Sequence, residues 1–140
     1  MKALLTSQSK NNEKRKMKTI VENFEELYAL WQQGVTTGEA LVDAVVECVA
    51  THNMISPEEV AAMLEVKDWE LRAAFHLLTG MTLREMITQW RYRQAREMIL
   101  NGKYELTDIA HRCGWRSVRV MDGVFVRMCG QSATRLAMTV

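Results

Sequence analysis

The chain has 140 residues, of which 48% are apolar, and its net charge is +1. This apolar content supports a buried core and excludes a disordered tail, whereas the balanced charge is not that of a strongly basic nucleic-acid-binding protein. The cysteines Cys48, Cys113 and Cys129 lack metal-binding spacing, and no apolar run reaches about 18 residues. The composition therefore argues against a structural metal, a disulfide framework and a membrane span.

The N-terminal part of the chain divides into two predicted segments. Residues 1–17 form a polar basic arm, and residues 18–35 contain apolar side chains at helical spacing, before the stop signal Gly34. The spacing predicts an amphipathic helix in addition to the domain that follows. Its apolar face either completes the core of that domain or forms a homodimer contact through residues 20–31, and the sequence leaves both readings open.

The remaining elements are marked by helix start signals. Thr36 with Glu39, and Thr82 with Glu85, have the spacing of a capping box, and Ser56 precedes a proline at the first helical position. Only one proline and seven glycines occur in the whole chain, fewer than a sheet protein needs for its turns. The sequence therefore predicts an all-α fold.

An internal repeat indicates how these helices are grouped. The segment 59–61 (Glu-Val-Ala) recurs as 108–110 (Asp-Ile-Ala) at an offset of 49 residues, and Leu71 and Phe75 recur as Met121 and Phe125 at an offset of 50. Each copy has the pattern of a helix-turn-helix unit. The predicted first unit spans about 56–80, the linker helix about 82–100, and the second unit about 105–130.

The second copy resembles the AraC/XylS family of transcription regulators. In the second copy, the resemblance rests on the run 106–115 (Leu-Thr-Asp-Ile-Ala-His-Arg-Cys-Gly-Trp) with Met121, Phe125 and Gly130. In the first half, the residues that match the family pattern are Leu71, Phe75, Gly80, Thr82, Met86, Arg91, Ala95 and Ile99. The resemblance implies that residues 36–140 form a bipartite DNA-binding domain. Its two recognition helices would enter successive major-groove segments, about 34 Å apart.

The resemblance and the side-chain chemistry together select candidate DNA contacts. We expect Trp69, Arg72, Arg116, Ser117 and Arg119 to meet bases or the groove, since arginine reads guanine bidentately and tryptophan can contact a thymine methyl group. Val118 and Asp122 are also expected to point outward. Phosphate contacts are expected from the cations Lys67, Arg93, Arg96 and Arg112, whereas Arg91 matches a structural arginine that ties the two halves together.

The charge distribution leaves a second function open. Residues 40–83 contain seven acids and two bases, a net charge of −5, whereas residues 84–140 contain ten bases and five acids, a net charge of +5. Asp68 and Glu70 place acid on the first recognition helix, and Glu65 stands where the family usually has the turn glycine. The alternative to a DNA reader is a protein-interaction module on the same fold, acting as a co-regulator or antagonist.

The expected partners and setting follow from these readings. Double-stranded DNA is the main partner, and RNA polymerase or another regulator is the protein partner that either reading allows. No arrangement of side chains typical of catalysis stands out, so we expect no enzyme, no cofactor and no metal. The 39 residues before the matched region are too few for a sugar-binding barrel, so no small-molecule effector is expected. The expected location is the bacterial cytoplasm, at the nucleoid.

Overall fold

The structure is a computed structural model that describes residues 18–52 and 56–140, so the predicted arm at 1–17 lies outside the described residues. Every regular element within the described ranges is a helix, which confirms the all-α prediction. The eight helices are α1 (Phe24–Gln32), α2 (Ala40–Thr51), α3 (Pro57–Leu64), α4 (Asp68–Thr79), α5 (Leu83–Asn101), α6 (Leu106–Arg112), α7 (Val118–Cys129) and α8 (Ala133–Ala137). None of them is long and apolar enough to cross a membrane.

Two of the predicted start signals form complete capping boxes. The hydroxyl of Ser56 accepts a hydrogen bond from the amide of Glu59 (3.2 Å), and the Glu59 carboxylate accepts one from the amide of Ser56 (2.8 Å). Thr82 and Glu85 make the same reciprocal pair, at 3.0 and 2.9 Å. These bonds satisfy amides that have no partner inside the helix, and so they define where α3 and α5 begin.

The predicted capping box at the start of α2 is wrong. Glu39 is itself the N-cap, because its carboxylate accepts from the amide of Leu41, so α2 begins later than the predicted cap implies. Thr37, and not Thr36, makes hydrogen bonds to the first turn of α2. Both its amide and its hydroxyl donate to Asp43, at 2.9 and 2.8 Å. Adjacent threonines with the same cap chemistry made this boundary ambiguous in the sequence.

The turns of the two units use the left-handed backbone conformation in different ways. Gly114, in the turn between α6 and α7, has φ 94°, a value that glycine adopts without steric cost. In the first unit Glu65 caps α3 with φ 58° and ψ 44°, the one described non-glycine residue with a positive φ. The repeat therefore keeps the turn geometry even where the sequence lacks the glycine.

The long helix α5 joins two separate hydrophobic cores. Its N-terminal half contributes Leu83, Met86, Ile87 and Trp90 to a core that includes α1, α2, α3 and α4. Its C-terminal half contributes Ala95 and Ile99 to a second core that includes α6, α7 and α8. Because one continuous helix belongs to both cores, it sets the spacing and orientation of the two units.

The N-terminal helix completes the first core. Phe24, Tyr28 and Trp31 surround Trp90 of α5, with ring centroids 6.1, 4.9 and 4.9 Å from it in edge-on arrangements. Such ring pairs contribute a stabilising free energy in addition to that of the apolar surface that they bury. The helix covers only Phe24–Gln32, less than the predicted 18–35. Its buried residues pack against the chain's own core, which agrees with the first of the two readings, and a homodimer contact through residues 20–31 stays a prediction.

Candidate nucleic-acid interface

The recognition helices α4 and α7 bury matching positions. Leu71 and Phe75 of α4 are at most 1% exposed, as are Met121 and Phe125, which lie 50 positions later in α7. Since these pairs hold each helix in the same orientation against its core, the outward positions also correspond at an offset of 50. The two outward faces can therefore be compared residue by residue.

The outward face of α7 is basic. Arg119, Gly123 and Arg127 follow one another at four-residue spacing and are all exposed, so they form one stripe along the helix. Arg116 is exposed just before the helix begins. Within the described residues none of these three arginines makes an ion pair, so their guanidinium donors are available to an external acceptor.

Ser117 positions the start of this basic stripe. Its hydroxyl caps α7 by accepting from the amide of Val120 at 3.2 Å, which orients the first turn. Near the same end, the ring Nε2 of His111 lies 3.2 Å from the carbonyl oxygen of Arg116. The backbone that carries Arg116 is therefore held by both helices of the unit.

The expectation that Asp122 points outward from α7 is wrong. Its carboxylate accepts hydrogen bonds from the amide of Thr134 (2.9 Å) and from the Thr134 hydroxyl (2.9 Å) at the start of α8. An anion at the positive end of α8 stabilises that short helix. Asp122 therefore has a structural role inside the second unit.

The outward face of α4 is apolar and acidic instead. At the positions of Arg119, Gly123 and Arg127 it has Trp69, which is 67% exposed, the exposed Ala73, and Leu77, which is 57% exposed. Glu70 is exposed beside them, and the exposed Lys67 precedes the helix. The same register therefore presents two large apolar groups in one unit and two guanidinium groups in the other.

Arg72, the arginine of the first recognition helix, is held by two carboxylates. It bonds Glu58 of α3 at 2.5 Å and Asp68 of its own helix at 3.0 Å. The hydrogen bond that Arg72 donates to Asp68, together with the charges of Asp68 and Glu58, raises the pKa of Arg72. An external phosphate or base would have to displace these partners, so α4 lacks the available arginine that we expected of it.

The arginines of α5 and α6 differ in their surroundings. Arg93 pairs with Glu25 of α1 and with Glu97 (3.6 Å), and its guanidinium lies 4.8 Å from the centre of the Tyr28 ring, so it holds α1 against α5. These partners leave Arg93 less available to a phosphate than the sequence predicts. Arg96 is exposed and makes no ion pair among the described side chains, and the exposed Arg112 lies over the ring of Tyr104 at 5.0 Å.

Arg91 lies between the two units. Burial lowers the pKa of Arg91 and the carboxylate of Glu59 in the first unit raises it, while the charge of Arg91 in turn acts on Cys113 of the second unit. The same burial raises the pKa of the Cys113 thiol to about 11, which keeps that cysteine protonated and unreactive. This placement agrees with the expected structural role of Arg91 at the junction of the halves.

Two outward residues were missed by the sequence reading. Arg127 and Leu77 occupy equivalent positions at the ends of the two stripes, eight residues after Arg119 and Trp69. A helical period carried forward from the predicted contacts would have found both. Both residues lie in the last turns of α4 and α7, whereas the predicted contacts lie at the start of each helix.

The comparisons with known proteins agree with this arrangement. A family model described as a helix-turn-helix domain matches residues 60–138, more than half of the chain. The fold is similar to the DNA-binding domain of AdpA, a global transcriptional factor, solved in complex with a target DNA (TM-score 0.64, 24% identity, covering 71% of this chain and 90% of that one). It is also similar to a DNA-binding transcriptional dual regulator from Escherichia coli K-12 (TM-score 0.61, 17% identity, the same coverage).

No curated protein sequence matches the chain. The two solved structures share its fold at low identity, and the family model spans both units, from α3 to the end of α8. Together with the paired helix-turn-helix units and the linker helix, this match identifies the family. The chain belongs to the AraC/XylS-type family of helix-turn-helix transcription regulators.

Proposed function

We propose that this regulator binds double-stranded DNA sequence-specifically and reads it mainly through α7 of the second unit. The observation that carries the proposal is the stripe of Arg119 and Arg127, with Arg116 at its start, on the outward face of a helix whose other side is buried. A guanidinium group can donate two hydrogen bonds to the O6 and N7 atoms of guanine in the major groove. The AdpA DNA-binding domain, which has a similar fold, was solved in complex with a target DNA, which supports DNA as the ligand.

Contacts to the phosphate backbone would fix the position of α7 in the groove. Arg96 of α5 and Arg112 of α6 are exposed and carry no competing ion pair within the described ranges, so both can face a phosphate. The Ser117 hydroxyl retains acceptor and donor capacity after capping α7 and can serve a phosphate or a base. In the first unit, Lys67 is the cation that we expect to contact a phosphate.

The first unit contributes less to affinity in this proposal. With Arg72 held by Glu58 and Asp68, α4 offers Trp69 and Leu77, which can contact thymine methyl groups but cannot neutralise phosphate. The exposed Glu70 faces the same direction and is repelled by phosphate. We therefore expect an asymmetric site, in which the half facing α7 provides most of the binding free energy.

A second candidate function has its own observation. Exposed large apolar side chains beside an acid, as at Trp69, Leu77 and Glu70, are typical of a protein-contact surface. A co-regulator or antagonist would use this face to bind RNA polymerase or another regulator, and it would bind no DNA.

As a DNA-binding regulator, the protein would act at the bacterial nucleoid in the cytoplasm.

The test begins with a pool of genomic duplex fragments from which the protein selects at moderate salt. Arg119→Ala is then compared with Arg72→Ala on the selected duplex. Losing one bidentate base contact should weaken binding by about 10- to 100-fold for Arg119→Ala, whereas Arg72→Ala should change it by less than about threefold. Equal losses would show that both recognition helices read bases, and no retained duplex at low salt would favour the protein-contact function.

A further inference from the structure

One glycine of the chain has no explanation inside the folded protein. Six of the seven glycines have a positive φ, between 72° and 94°, a conformation that other residues rarely adopt. Gly123 is the exception. It lies in the interior of α7, with ordinary helical neighbours on both sides.

Internal packing does not require this glycine either. A Cβ atom built on Gly123 meets no atom within 4 Å, so a larger side chain would project into open space. Among residues other than proline, glycine is the poorest helix former, because its backbone loses the most conformational freedom on folding. The chain therefore places a helix-weakening residue at an exposed position where alanine would fit, and nothing within residues 18–52 and 56–140 requires it.

The position of Gly123 suggests what lies outside it. It is four residues after Arg119 and four before Arg127, so it is the midpoint of the outward stripe of α7. The equivalent position of α4 is Ala73, the next smallest residue, between Trp69 and Leu77. The smallest side chain of each outward stripe thus lies at its centre.

We propose that Gly123 is a specificity-determining residue, at which the α7 backbone comes into direct contact with the floor of the major groove. The proposal rests on DNA binding through the second unit. Without a Cβ atom at the midpoint, the helix lies closer to the base pairs, and Arg119 and Arg127 reach bases on either side of the contact. A base pair opposite Gly123 would be selected by its shape, since only some pairs leave room for the backbone.

The experiment compares Gly123→Ala and Gly123→Leu with the wild-type chain on the duplex that the wild type selects. Both substitutions favour the helix, so the melting temperature should rise by about 3–5 °C. The affinity should nevertheless fall, by about tenfold for alanine and further for leucine, as the added side chain pushes α7 away from the bases. A purely structural role for the glycine cannot raise stability and lower affinity together.

The matched control is Ala62→Leu, which adds a side chain at an exposed position of α3 outside the recognition helices. Its affinity should stay within about twofold of the wild type. A repeated selection with Gly123→Ala should also alter the preferred sequence, and only in the half-site that faces α7. Unchanged affinity and an unchanged preferred sequence for Gly123→Ala would overturn this inference while leaving DNA binding intact. A wild-type chain that retains no duplex would instead overturn the proposed function.

Discussion

The ion pairs of Arg72 provide a direct way to test how the first unit faces DNA. Glu58 accepts from Arg72 at 2.5 Å and lies 3.9 Å from Arg84, so one carboxylate occupies one guanidinium group and partly screens another. Glu58→Gln keeps the size of the side chain and removes its charge. The pair is exposed, so the change should leave the fold intact.

The expected effect is on the salt dependence of binding. If α4 faces the duplex, the substitution frees the Nη2 donor of Arg72 while Asp68 keeps its Nε, and one added phosphate contact should steepen the plot of log affinity against log salt concentration by about 0.9. Between 50 and 200 mM salt, that slope corresponds to an additional affinity loss of roughly threefold relative to the wild type. Fluorescence anisotropy of a labelled duplex over a series of salt concentrations measures both quantities.

The control for this measurement is Glu47→Gln, which removes the same charge from an exposed position of α2. It should leave the slope unchanged, because α2 lies in neither helix-turn-helix unit. If Glu58→Gln and Glu47→Gln gave the same slope as the wild type, Arg72 would not face phosphate even when released. The first unit would then lie away from the duplex, and its apolar face would be open to a protein partner.

Three further predictions concern the scaffold. Glu65→Gly should raise the free energy of unfolding in urea by about 0.5–1 kcal/mol. Glycine removes the strain of the left-handed backbone, which costs about 1–2 kcal/mol, but it also increases the conformational entropy of the unfolded chain, which offsets part of that gain. Asp122→Ala should cost about 1–2 kcal/mol in the same assay, since the amide of Thr134 loses its acceptor, and an unchanged midpoint would contradict that capping role. Burial and the neighbouring Glu97 raise the pKa of Tyr28 to about 12, so an ultraviolet titration should show Tyr28 ionising only at strongly alkaline pH, and stability should decline above pH 10 as the unfolded chain releases that proton first.

The sequence predicted those features that depend on neighbours along the chain. The capping boxes of α3 and α5 join residues three apart, and the hydrophobic spacing of Leu71 with Phe75 follows from one helical turn. Such contacts are local, so their residue types and spacing are nearly sufficient to predict them. The repeat then placed the two recognition helices in equivalent positions.

The contacts that decide which arginines are available could not be predicted in this way. Arg72 meets Glu58 across 14 residues, and Arg93 meets Glu25 across 68, so both pairs exist only because the helices pack together. In the sequence these side chains are indistinguishable from the arginines of α7, which make no ion pair within the described residues. The packing of α1 on α5 and of α3 on α4 therefore separates structural arginines from candidate DNA contacts.

In the two units, the residues that maintain the fold and the residues available for binding occupy different positions. The inward residues of α4 and α7 are interchangeable apolar groups, because each must fill a core against the same long helix. The outward residues have no partner within the unit, so they are constrained only by what the helix contacts. Trp69 and Leu77 occupy the register of Arg119 and Arg127, so the two faces cannot be adapted to the same ligand chemistry. The two helices therefore have equivalent places in the fold and present different chemistry to an external ligand.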